Sequence, residues 1–120
     1  MSGYKSLDVY KKAYEAALEV YELSRRFPIE ERYAMTDQIR RAATSIPLCI
    51  AEGYGKKSSQ REFKRFLEMA MGSSNEVSVL LDFSKDLGYT PEDRYMEEKK
   101  RYEEIGRMIN GQIKRIEREV

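Results

Sequence analysis

The sequence contains no histidine. That absence removes the base that would activate a nucleophilic cysteine, and it removes the Glu-x-x-His motifs through which helical bundles hold paired metal ions. Cysteine occurs once, at Cys49, so no internal disulfide can form, which fits a reducing compartment. Only three prolines interrupt the chain. No apolar run approaches the ~20 residues that cross a bilayer. The opening stretch, MSGYKSLDVYKK, is polar and lacks the apolar core of a secretory signal. An excess of charge is missing too. The 22 basic and 21 acidic residues nearly cancel, so no global field steers the chain toward nucleic acid, and any basic surface must be local. Strand-like alternation, internal repeats and low-complexity segments are also lacking. The expectation is a cytoplasmic protein with one domain over 1–120, no cofactor, no bound metal and no membrane contact.

What is present is helical periodicity. Ala, Glu, Lys, Leu and Arg are abundant, and these residues favour helix. The central stretch, QIRRAATSIPLCIAEGYG from Gln38 to Gly55, sets Ile39, Ala42, Ala43, Ile46 and Ile50 at steps of three and four. Pro47 removes a donor there and predicts a kink, with the Thr44 and Ser45 hydroxyls placed to serve the backbone groups it frees. Gly53 and Gly55 predict the helix stop, because glycine accepts left-handed angles at little cost. A first helix is expected from a cap at Ser6 to Phe27-Pro28, with Tyr10, Ala13, Ala17, Val20 and Ser24 inward. Tyr14, Leu18 and Tyr21 widen that face, either as core or as an interface. The second helix is expected to begin between Glu30 and Tyr33.

Ser59 followed by Glu62 is a capping-box pattern for a third helix. Its inward stripe runs Phe63, Phe66, Leu67, Ala70, Ser74, Val77, Leu81, Ser84 and Leu87. The small residues Ala70, Gly72, Ser73 and Ser74 predict close approach by a neighbour. Gly88 ends this helix, and Thr90-Pro91 caps a fourth that carries Tyr95, Tyr102, Ile105, Ile109, Ile113 and Ile116 inward and EEKKRYEE outward. Four helices with short turns define an all-α, antiparallel, up-down-up-down four-helix bundle.

The run QIRRAATSIPLCIAEGYG, with Phe27-Pro28 before it and EFKRFLEMAMGS (Glu62 to Ser73) after it, resembles the bacterial four helix bundle family, also called the 23S rRNA intervening-sequence or S23 family. The resemblance runs from Ser6 to about Ile116. It implies a four-helix bundle assembled as a ring-shaped homopentamer, without an assigned activity. It also implies a distant relation to the accessory variability determinants of diversity-generating retroelements, which work beside a reverse transcriptase and bind nucleic acid. Family members commonly carry asparagine where this chain has Cys49, so a polar role does not transfer to that position.

No catalytic constellation is visible, and the chain reads as a non-enzyme. Glu52, Glu68 and Glu76 lack the converging spacing of a hard-cation site, and Glu52 reads as one half of a salt bridge to an arginine of this or a neighbouring chain. Gly53-x-Gly55 with two following lysines lacks the Gly-x-x-x-x-Gly-Lys-Ser/Thr pattern and the preceding strand of a phosphate loop. The strongest polar signal is a group of cations. Lys56, Lys57, Arg61, Lys64 and Arg65 fall within ten residues, and Arg40 and Arg41 lie upstream on the second helix. These seven are the candidate phosphate contacts for RNA or DNA, with Tyr54 beside them to stack on a base. Two functions compete. One is a nucleic-acid-associated accessory module. The other is an oligomeric protein-interaction scaffold, in which the same cations form a solvated bundle end or a salt-bridged subunit contact.

Overall fold

The computed structural model describes residues 3–119. Four helices follow one another: α1 (Asp8–Ser24), α2 (Met35–Gly55), α3 (Gln60–Asp86) and α4 (Glu92–Glu119). Short 3-10 turns at Tyr4–Ser6 and Ile29–Glu31 precede α1 and α2. The helices form the expected bundle, about twice as long as it is wide at 46 × 24 × 23 Å. The α2–α3 and α3–α4 pairs pack most extensively, and α1 meets α4 along the thinnest seam.

The core follows the periodic stripes. Ile39, Ile46 and Ile50 of α2, Leu67, Val77 and Leu81 of α3, and Ile105 and Ile109 of α4 are buried. Each side chain of this size contributes about 1.5–3 kcal/mol by leaving water. The inward face of α1 is mostly small, with Ala13, Ala16 and Ala17 buried beside Val20. Val9 and Leu23 are buried towards its two ends, whereas Tyr14, Leu18 and Tyr21 are exposed. The aromatic widening read from the sequence is therefore an outer stripe.

Several boundaries differ from expectation. α1 starts at Asp8, after Leu7, while the Ser6 hydroxyl donates to the Gly3 carbonyl. α2 starts at Met35, because Glu31 closes a separate turn and its carboxylate accepts the Met35 backbone N–H at 3.3 Å. The same carboxylate accepts from the Tyr89 hydroxyl at 2.8 Å, which ties this turn to the α3–α4 turn. α2 runs unbroken through Pro47. The Thr44 hydroxyl donates to the Arg40 carbonyl and Ser45 pairs with Ser73 of α3, so neither serves the carbonyl that Pro47 leaves free.

Gly53 does not stop α2. It is buried inside the helix, and neither it nor Gly55 has a positive φ. A Cβ on Gly53 would meet the Phe66 Cβ at 2.7 Å. This glycine is present because α3 crosses there. The close approach expected at Gly72 is absent: Gly72 is exposed with nothing within 4 Å of its missing Cβ. Gly88 does end α3 in the left-handed region, at φ 83°. Thr90 is buried and its hydroxyl has no partner among the described residues, so it does not cap α4. Leu87 is exposed rather than inward, since the stripe of α3 ends at Ser84.

Candidate functional site

The turn between α2 and α3 is cationic because two lysines follow α2 and three basic residues lie near the start of α3. Lys56 and Lys57 follow the last residue of α2, and Arg61, Lys64 and Arg65 project from the first two turns of α3. Half of the capping box forms: the Ser59 hydroxyl accepts the Glu62 backbone N–H at 3.2 Å. The Glu62 carboxylate turns instead to Arg65, at 3.1 Å, and that guanidinium lowers its pKa. Lys64 pairs with Glu117 of α4 at 3.1 Å. Lys56, Lys57 and Arg61 are exposed and form no ion pair with a carboxylate among the described residues. Lys57 lies over the Tyr54 ring, 3.9 Å from its centre, and lowers the phenol pKa.

Arg40 and Arg41 do not join this group. Roughly 22 Å of helix lies between Arg40 and Gly55. The Arg40 guanidinium donates to the Ser24 hydroxyl at 2.8 Å and stacks on the Tyr21 ring at 4.7 Å, bracing α2 against α1. Arg41 pairs with Asp37 one turn back at 2.9 Å. The structure thus brings five of the seven predicted cations to one bundle end. Glu52 is exposed and makes no ion pair among the described residues, so the arginine expected to pair with it is not one of this chain's described residues.

Beside the basic turn lies an open cleft of about 560 Å³. Tyr54, Lys57, Gln60 and Phe63 line one side, and Gln112 and Arg115 of α4 the other. A second concavity, about 400 Å³, runs along α1 and α2 and is nearly all apolar. Tyr10, Tyr14, Leu18, Tyr21, Pro47 and Leu48 form its walls. On α3, Met69, Val79 and Phe83 are exposed at helical spacing, with Gly72 between them. Sequence reasoning offered the α1 tyrosines as interface or core. The α3 outer stripe was missed, although Met69, Gly72, Glu76, Val79 and Phe83 repeat at three and four.

Glu98 was also missed. It lies inside the EEKKRYEE run read as solvated, yet it is fully buried. Stepping back four residues from Tyr102 along its own stripe lands on Glu98, so the signal was present. Arg94 bonds the carboxylate at 3.1 Å and also reaches Glu19 of α1 at 2.8 Å, while Arg101 stands 3.6 Å away. The arrangement seals the thin α1–α4 seam. Among the described residues no three groups of metal-binding type converge, and no helix is long and apolar enough to cross a membrane.

No curated protein matches the chain. A crystal structure of a protein of unknown function from the S23 ribosomal protein family of Bacteroides thetaiotaomicron superposes with a TM-score of 0.79. The two sequences are 26% identical, over 88% of this chain and 98% of the other. The family profile of 23S rRNA-intervening sequence proteins matches residues 5–111. A match over that span, in a bundle of the same fold, means that the chain belongs to the 23S rRNA-intervening sequence protein family.

Proposed function

We propose that the protein is a non-enzymatic bundle that self-assembles and, once assembled, contacts nucleic acid at the α2–α3 end. The observation that carries this reading is a pair of unlike apolar faces on one protomer. The groove between α1 and α2 exposes Tyr14, Leu18 and Leu48, and the outer stripe of α3 exposes Met69, Val79 and Phe83. Exposed apolar surface of this kind marks an association site. Two unlike faces on one subunit pair head to tail, and such contacts generate rings when the rotation closes. A homopentamer, the assembly implied by the family resemblance, satisfies both faces of every copy.

A ring also repeats the basic end once per copy. Lys56, Lys57 and Arg61 are weak alone, on a chain of formal net charge +1. Repeated around an axis, they supply the local positive field that phosphate binding needs.

Sedimentation equilibrium tests the assembly. The native chain should sediment as a multimer, and Leu18→Glu or Phe83→Glu should sediment as a helical monomer. Multimers that survive both substitutions would exclude these faces.

A second reading, a protein-interaction scaffold without nucleic acid, is favoured by the carboxylate partners of Lys64 and Arg65. Fluorescence anisotropy with structured RNA and duplex DNA separates the two. Binding that falls steeply with salt, and that Lys56→Glu, Lys57→Glu and Arg61→Glu together abolish, supports the accessory role. An absence of binding at low salt leaves the scaffold.

A further inference from the structure

We infer that the cleft between the α2–α3 turn and the last turns of α4 seats one unpaired nucleotide of a single strand. The inference rests on the nucleic-acid reading above and assigns it a pocket. The cleft volume, about 560 Å³, lies within the range of small-ligand sites. Its lining mixes chemistries in a way that suits a nucleotide. Tyr54 and Phe63 meet edge to face at 6.1 Å and form an aromatic wall. Bases stack on such walls, and only an unstacked base can reach one. Gln60 and Gln112 present side-chain amides at the two sides, and each offers donors and an acceptor to a base edge.

A phosphate position is already occupied by the chain's own carboxylate. Glu119 accepts from the Gln60 amide at 3.2 Å and pairs with Arg115 at 3.6 Å. An incoming phosphate would take over the same two partners. Lys57 now covers the Tyr54 ring, and it is long and exposed enough to move from the ring to the backbone of a bound strand. Arg115 and Gln112 come from α4, outside the basic run between Lys56 and Arg65. Their part in the cleft is visible only once α4 is folded against the turn.

The test uses the full chain and a fluorescein-labelled single-stranded oligonucleotide, RNA and DNA in separate arms, with the duplex of the same sequence as reference. The single strand should bind more tightly than the duplex. Tyr54→Leu and Gln112→Ala should each weaken single-strand binding about tenfold, the scale of one lost stacking or edge contact, with an unchanged salt slope. Glu119→Ala should strengthen it, because the competing carboxylate is gone. Gln112 is only partly buried, so its variant stays informative if Tyr54→Leu fails to fold.

Equal affinity for single strand and duplex would overturn the pocket. So would native affinity in Gln112→Ala and Glu119→Ala while the Lys56, Lys57 and Arg61 substitutions abolish binding, an outcome that leaves the basic end intact. Failure of the native chain to bind either form at low salt would overturn the nucleic-acid reading, and the pocket with it.

Discussion

Gly53 shows how a single residue is set by its neighbour rather than by its own backbone. The sequence offered it, with Gly55, as a terminator, since glycine accepts the angles that end a helix. The structure uses it for room, with Phe66 of α3 against its Cα. Gly53→Ala should destabilise the fold by about 1–3 kcal/mol, because the Phe66 Cβ is anchored to the backbone and cannot swing aside. Gly111→Ala, where nothing lies within 4 Å, should instead stabilise by about 0.5–1 kcal/mol through helix propensity. Urea titration of both variants checks the opposite signs. Two carboxylates make a second contrast. Burial pushes Glu98 above the ordinary range despite the bond from Arg94. Its contribution to stability is complete below the unfolded pKa, about 4.3, and is lost as pH rises through the folded value. The Tyr95 hydroxyl at 2.6 Å and Lys99 at 2.9 Å hold Asp82 below its ordinary value. That contribution is complete above about 3.9 and is lost as pH falls through the folded value. Relative to the native chain, Glu98→Gln should therefore gain in melting temperature from about pH 4 to pH 7, and Asp82→Asn should lose from about pH 3 to pH 7. Thermal unfolding followed by circular dichroism across that interval reads both.

At the scale of the element, α3 was the most legible helix. The Ser59 cap and the stripe from Phe63 to Ser84 stand as read, because a cap and a 3.6-residue period are local properties of the sequence. Ser59→Ala should cost about 1 kcal/mol and Ser59→Gly only a few tenths, measured by chemical denaturation. α1 was less legible for a physical reason. It carries two apolar stripes, one of alanines and one of tyrosines and Leu18, and periodicity alone does not say which turns inward. The alanines do, with Val9, Val20 and Leu23, since they let α1 approach its neighbours closely, and Tyr14, Leu18 and Tyr21 are left outside. The same limit separated Arg40 and Arg41 from the basic turn. Residues close in a list lie far apart along a helix axis, and only the length of α2 reveals it. Glu98 escapes a reading of EEKKRYEE as one solvated surface, because eight residues span more than two helical turns and so reach every side of the helix, the buried one included.

The whole molecule leaves apolar surface on two sides of a bundle whose own core is already closed. Copies with a formal net charge of +1 repel one another weakly, so little opposes their association. If those faces are covered in the native assembly, folding and assembly are linked. Whatever binds the folded chain and not the unfolded one raises its stability by mass action, and in the assembly we propose that partner is another copy. The melting temperature of the native protein should then rise with protein concentration. Leu18→Glu, on the α1–α2 groove, should remove that dependence while leaving the helical content intact, because Leu18 is 57% exposed in the protomer and contributes little to its core. Phe83→Glu, on the other face, should do the same, since a head-to-tail contact fails when either half is lost. A melting temperature independent of concentration in the native protein would place the function in the single bundle, and the basic end would then have to act with one copy of each cation.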